Sequence, residues 1–300
     1  MNILKKERSS ALVSKQKRLV RNVALIVIAV FIIAHLLYGF ISPVVRLKTT
    51  SFSVTSSSVT SSIRIVQLSD LHDWEHPKGN EYVVERISEL KPDLVLITGD
   101  LVNGTDAETG ESEKLLRAIV EGCGAPVYLS YGNHDVAYIE ATGIDLKARW
   151  EALGATVVNR NYVDIEVNGN PVRIGGGLTS TFYGAEFLED FENTSSLKLL
   201  LWHYGAEFRQ TRVLDKHSID AVFSGHAHGG QVVLPLIGPL VDPETGLFPG
   251  RLTGMFSSSD GTKHCFMNAG LGNGGIPRFN NCPEIVCVDF LPGTGNNIDQ

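Results

Sequence analysis

Residues 63–72 read IRIVQLSDLH, an apolar run that ends on Asp70 and His72. Such a run has the composition of a buried strand, and a carboxylate and an imidazole at its end contribute nothing to packing. The arrangement returns four times: 94–100 reads LVLITGD, 127–135 VYLSYGNHD, 197–203 LKLLLWH and 221–231 AVFSGHAHGGQ. Helical patterns fall at 81–90, 111–121 and around 146–153, and further strand-like runs at 162–167, 172–175, 264–268 and 284–290. This alternation predicts an α/β protein with helices covering its sheets. The strand-rich back half favours a layered sandwich over one doubly wound sheet.

Ligands in α/β folds bind at the carboxyl ends of strands. Five such ends bring Asp70, His72, Asp100, Asn133, His203, His226 and His228 into one candidate site. The donors are all oxygen or nitrogen, which suits divalent Mn, Zn or Fe. Seven ligands exceed the needs of one tetrahedral ion, whereas two ions sharing the Asp100 carboxylate use them all. Each fragment alone has an ordinary explanation: Gly-Asp after a strand is most often a turn, and His-Ala-His is often a surface pair. Five fragments in order at strand ends leave little room for coincidence.

With these blocks the chain resembles the calcineurin-like metallophosphoesterases. The further blocks Gly229-Gly230-Gln231, Gly270-Leu271-Gly272 and Ile276-Pro277-Arg278-Phe279 are similar to the membrane-associated bacterial branch of that family. The resemblance spans about 63–290. It implies a four-layer α/β/β/α sandwich and a hydrolase. One divalent ion would be held by Asp70, His72, Asp100 and His228, and a second by Asp100, Asn133, His203 and His226. It also implies His134 as the catalytic histidine. We expect Asp135 to orient it, and a metal-activated hydroxide to attack phosphorus directly. One block departs from the pattern: the family usually has His-x-Pro where this chain has His203-Tyr204-Gly205, so the turn lacks a rigid proline.

The chain has 300 residues and a net charge of -7, and that average conceals a split. Residues 1–22 carry seven Lys or Arg and one Glu, a net of +6, and residues 23–42 carry no Asp, Glu, Lys or Arg. The run 23–41, VALIVIAVFIIAHLLYGFI, would span about 29 Å as a helix, enough to cross a bilayer core. No small-x-small cleavage site follows it, and Lys17-Arg18 is not a twin arginine. We therefore expect an uncleaved single-pass anchor. Only Arg46 and Lys48 follow it closely, so the basic tail is expected in the cytoplasm and the catalytic domain outside it. The expected segments are a basic tail (1–22), a transmembrane helix (23–42), a Ser/Thr-rich linker or edge strand (43–62) and a catalytic domain (63–300).

Residues 43–300 hold 19 basic and 32 acidic residues, a net of -13, which argues against nucleic acid as a partner. The expected partners are the bilayer and a phosphoester small molecule or lipid-linked substrate. The expected reaction is hydrolysis of a phosphodiester or pyrophosphate of a lipid or cell-envelope precursor. The alternatives are a membrane-anchored metal-binding or scaffolding protein without catalysis, and a protein phosphatase. His76, in the loop after the first metal motif, has two readings, a residue that touches substrate and a solvated loop histidine. Cys123, Cys265, Cys282 and Cys287 show no C-x-x-C spacing, and their pairing stays open.

Overall fold

The structure, a computed structural model, describes residues 2–104, 110–177 and 187–293. Met1 and 294–300, at the ends of the expected segments, lie outside the described residues. Two six-stranded sheets form the body. The first has the order β1 (Lys48–Ser56), β16 (Glu284–Pro292), β2 (Ile63–Leu68), β3 (Leu94–Thr98), β4 (Val127–Ser130), β5 (Thr156–Val157). The second runs β14 (Gly254–Ser257), β15 (His264–Met267), β9 (Ala221–Ser224), β8 (Leu197–Trp202), β7 (Asn170–Gly177), β6 (Asn161–Val167).

Strands β2 to β5 are mutually parallel, as are β7, β8, β9 and β15. All residues of β3, β4, β8 and β9 are buried, which explains why they read as continuous apolar runs and not as alternating ones. Their two inner faces meet through Ile63, Ile65, Leu96, Leu199, Phe223 and Phe266. Each such fully buried side chain contributes about 1.5–3 kcal/mol. Helices α2 (Asn80–Glu89), α3 (Gly110–Gly122) and α5 (Leu146–Ala152) cover the outer face of the first sheet, burying Val83, Ile87, Leu115, Ile119 and Trp150. The outer face of the second packs against α6 (Phe187–Glu192) and α7 (Thr211–Lys216) through Leu188, Phe191, Val213 and Leu214. The layers are therefore α/β/β/α, as expected.

Helix α1 (Asn2–Val45) is longer than the anchor expected at 23–42. Lys, Arg and Leu sustain a helix well, and no Pro or Gly interrupts the basic tail. A segment of it, Ser14–Val45, is long and apolar enough to cross a membrane. The 43–62 stretch is not a flexible stalk over its whole length. Val45 closes α1, the Leu47 side chain is buried, and β1 pairs with β16 from Lys48 to Ser56. Its Ser and Thr occupy a sheet edge, where polar side chains discourage further pairing. Only Arg46 and Leu47 separate helix from sheet, so the body is held close to α1.

Two small hairpins were not expected: β10 (Val233–Leu234) with β11 (Gly238–Pro239), and β12 (Val241–Asp242) with β13 (Gly246–Leu247). Strands of two residues are too short to leave a periodic signal. Helix α4 (Asn133–Thr142) was also not expected. It buries only Asp135 and Tyr138, so it has no apolar stripe, but its end signals were present. Asp135 at its third position accepts a hydrogen bond from the Gly132 amide at 2.8 Å, and Gly143 ends it with φ 69°.

Candidate metal centre and active site

Strands β2, β3, β4, β8 and β9 end on the same side of the sandwich, and their ends carry the seven expected ligands. The Asp70, His72 and His228 donor atoms lie within 4.8 Å of one another, as do those of Asp100, His203 and His226. Asp100 stands between the two groups, its Oδ2 3.0 Å from His203 Nε2 and 3.7 Å from His72 Nε2. Asn133 begins α4, and its Oδ1 is buried without a hydrogen bond among the described residues.

These positions are strained. Asp70, His72, Asp100, His226 and His228 all have positive φ, between 46° and 67°. Asp and His tolerate this region better than most residues, yet each still costs about 1 kcal/mol. Packing against neighbours maintains the conformation. A Cβ at Gly132 would come within 2.1 Å of Asp100 Oδ1, and one at Gly225 within 2.5 Å of Asp70 Oδ2. The two glycines thus let adjacent chains approach the carboxylates.

Several groups outside the ligand set hold it in place. His203 Nδ1 lies 2.7 Å from the Thr98 carbonyl, which orients the ring and directs Nε2 toward Asp100. Gly205 suits the tight turn, since a Cβ there would sit 2.6 Å from Met267 Cε. The His226 amide donates to both Asp70 oxygens, at 3.0 and 3.2 Å. The His134 amide donates to Asp100 Oδ1 at 2.8 Å, placing the N-terminus of α4 against that carboxylate.

Asp135 does not bond to His134. Its carboxylate accepts from the amides of Asp100, Leu101, Val102 and Gly132, at 2.7, 3.0, 3.2 and 2.8 Å. It therefore positions the turn that carries Asp100, and the expected link to His134 is replaced by this one. An Asp135→Ala variant leaves these buried amides unpaired. It should lose at least about 3 kcal/mol of stability, a fall of roughly 6–12 °C in melting midpoint for a chain of this size. An unchanged melting curve would remove Asp135 from this role.

His134 is half-buried, with a ring nitrogen within 4.8 Å of donors from His72 and Asp100. Its Nδ1 accepts from the Gly104 amide at 3.2 Å, so the neutral ring carries its proton on Nε2. His76 is not a solvated loop residue: it is buried, with its ring 5.4 Å from Trp74 and 4.8 Å from Tyr82. All four cysteines are free thiols.

The donor set suits divalent metal. Burial pushes His72 and His226 down to about 4 and His228 to about 3, so these imidazoles are neutral at ordinary pH and available as ligands. His72 Nε2 and His228 Nε2 face each other at 3.1 Å, next to the buried Asp70. Two carboxylates at 1% exposure or less need a positive partner. His203 behaves differently. Burial opposes its charge, but Asp100 outweighs this and holds it well above its ordinary value. A metal ion at His203 must displace that proton. Loading that position should release about one proton per chain at neutral pH, with affinity rising about tenfold per pH unit. Calorimetry in two buffers of different ionisation enthalpy reads this directly, and a heat independent of buffer would contradict it.

Residues 269–281 form a wall beside the ligands: a Cβ at Gly270 would lie 2.7 Å from Asp70 Cβ and one at Gly274 2.8 Å from His228 Nε2. Arg278 is buried and donates to the Ala269 carbonyl at 2.8 Å and, through Nε, to the Gly272 carbonyl at 3.0 Å. Asn281 donates to the His228 carbonyl at 2.6 Å. A buried cation in a loop with no strand period is invisible to pattern reading; the Ile276-Pro277-Arg278-Phe279 block was the available signal.

The family model described as calcineurin-like phosphoesterase matches residues 63–230. The chain belongs to that family. The calcineurin-like match contains every candidate ligand, and the chain is accordingly a metal-dependent phosphoester hydrolase. Its curated relatives include the uncharacterized metallophosphoesterase YkuE of Bacillus subtilis, 30% identical over 255 residues and covering 80% of this chain and 84% of that protein. An uncharacterized metallophosphoesterase of Helicobacter pylori is 27% identical, covering 85% of this chain and 66% of its own length. The UDP-2,3-diacylglucosamine pyrophosphatase LpxG of Chlamydia trachomatis is 26% identical, covering 76% of this chain and 84% of that protein.

Proposed function

We propose that this calcineurin-like phosphoesterase is a membrane-anchored, dinuclear-metal hydrolase of a phosphodiester or pyrophosphate in a lipid or cell-envelope precursor. The observation that carries the reading is the clustering of donor atoms from Asp70, His72, His203, His226 and His228 about the buried Asp100 carboxylate. Asp70, His72, Asp100 and His228 would hold one divalent ion, and Asp100, Asn133, His203 and His226 the other; Mn, Zn and Fe suit these donors. Bound there, such ions supply Lewis acidity and lower the pKa of water.

The chain's own groups do the rest. His134 presents its Nε2–H to the phosphoryl group, stabilising charge on its oxygens or giving a proton to the leaving oxygen. Asp135 keeps the Asp100 turn in register. Asn133 is a neutral donor, which limits repulsion of an anionic substrate.

Helix α1 would anchor the domain. The excess of Lys and Arg before it favours a cytoplasmic N-terminus and an extracytoplasmic body. A bilayer-tethered enzyme meets amphiphilic phosphoesters, and LpxG, by its name a UDP-2,3-diacylglucosamine pyrophosphatase, supports a pyrophosphate of that kind. The test uses the purified full chain in detergent. Hydrolysis of bis-p-nitrophenyl phosphate is compared with that of the monoester and of a nucleoside-diphosphate-linked acylated sugar. Preference for the diester or the pyrophosphate supports the reading. Preference for the monoester, or no turnover with added Mn or Zn, contradicts it.

A further inference from the structure

Five large apolar side chains stand in solvent on the turns around the docked end of α1. Leu236 and Ile237 lie at the tip between β10 and β11, Leu247 and Phe248 at the end of β13, and Ile276 on the wall over the metal cleft; each is at least half exposed. Leu236 also has φ 63°, where glycine would be less strained. No packing demand explains an apolar residue placed outward at such a position.

These turns belong to one connected patch. Val233 N donates to the Phe279 carbonyl at 2.9 Å, and Phe248 N to the Leu240 carbonyl at 2.9 Å. The patch is joined to α1. The Asn280 amide donates to the Gly39 carbonyl at 2.9 Å, and Phe279 packs edge-on to Phe40 at 4.9 Å and to His35 at 6.4 Å. A Cβ at Gly39 would fall 2.3 Å from the Phe279 ring, so the helix has a glycine where the turn presses in.

Depth follows from this contact. His35 lies six residues before the end of the apolar run 23–41, which is roughly 9 Å along the axis at about 1.5 Å per residue. A turn touching His35 therefore lies at the level of the apolar run and not beyond it. A cavity of about 680 Å³ between Tyr38 and Ile237 is also lined by Arg46 and Arg251, cations suited to lipid phosphates on an otherwise acidic body, and by Lys48, which pairs with Glu284 at 2.8 Å.

We propose that the turn tips carrying Leu236, Ile237, Leu247, Phe248 and Ile276 are seated in the bilayer that holds α1. The metal cleft then opens at the membrane surface and takes the head group of a bilayer-resident phosphoester. The wall that carries Ile276 and Phe279 also covers the cleft: a Cβ at Gly274 would lie 2.8 Å from His228 Nε2. Apolar tips flanked by cations are the composition of an interfacial membrane contact. The proposal rests on the reading of α1 as a membrane anchor.

The test places single tryptophans in the full chain, reconstituted in phosphatidylcholine–phosphatidylglycerol vesicles with brominated acyl chains. Variants are Ile237→Trp, Phe248→Trp, Phe31→Trp within α1, and Thr262→Trp beside Lys198 and Gly293 at the opposite end of the body. After subtraction of the native tryptophans, emission from positions 237 and 248 should fall about twofold or more, as at position 31, with position 262 unaffected. Quenching at 31 but not at 237 or 248 overturns the seating and leaves the anchor standing. No quenching at any position overturns both, and equal quenching at 262 contradicts a seated face. Hydrolysis of soluble bis-p-nitrophenyl phosphate by the same preparations reports on the catalytic reading independently.

Discussion

Replacing Asp100 by Ala is expected to lower diesterase turnover by at least about 1,000-fold and to remove metal at the same time, the scale of losing about 4 kcal/mol of transition-state stabilisation. The side chain is 1% exposed, and its Oδ2 lies 3.0 Å from His203 and 3.7 Å from His72. Asp70 Oδ1 also faces both groups, 3.5 Å from His228 Nε2 and 4.0 Å from His203 Nε2, but Asp100 approaches His203 more closely, at 3.0 Å. Without it each group loses its shared oxygen, and the remaining charge on the ligand set is that of Asp70 alone. Asp100→Asn separates charge from shape, because the amide oxygen still accepts from the His134 amide. Turnover and bound metal should fall together in both variants, read by a diester assay beside elemental analysis. Full metal and full turnover in Asp100→Asn would exclude Asp100 as the shared ligand.

His134→Ala is expected to divide these two readouts. Turnover should fall by about 100- to 10,000-fold, the range for loss of a positioned acid or base, while metal content stays near the wild-type value. The reason is positional. His134 is half-buried at the mouth, its Nδ1 is engaged by the Gly104 amide, and its Nε2–H remains for the substrate. Neither expected ion depends on it. Loss of metal together with activity would make His134 a ligand, and unchanged turnover would remove it from the reaction.

The strands that carry the site were legible because burial on both faces makes them continuous apolar runs, and polar residues at their ends stand out against that background. Asp70, His72, Asp100, Asn133, His203, His226 and His228 therefore stood out as candidate ligands from composition and order, and the structure clusters all of them but Asn133 by measured distance. Backbone conformation was not. The positive φ of Asp100 or His228 is imposed by neighbours distant in the chain, and no local propensity encodes it. The role of Asp135 was hidden for a similar reason: its hydrogen bonds reach back more than thirty residues to the Asp100 turn. Helix α4 escaped because it has no apolar stripe, although Gly132, Asp135 and Gly143 mark its ends. The 43–62 stretch kept two readings open since Ser and Thr suit a stalk and an edge strand equally. Pairing with β16 favours the strand over Lys48–Ser56, and that pairing is a long-range contact.

The central claim is that two divalent ions share this centre during catalysis, and counting metal against activity tests it most directly. The full chain is stripped with chelator, titrated with Mn or Zn, and assayed on bis-p-nitrophenyl phosphate while bound metal per chain is measured. Activity should follow filling of the second position and reach its maximum near two ions per chain. Full turnover in the metal-free protein, or a maximum at one ion with no further gain, would contradict the account.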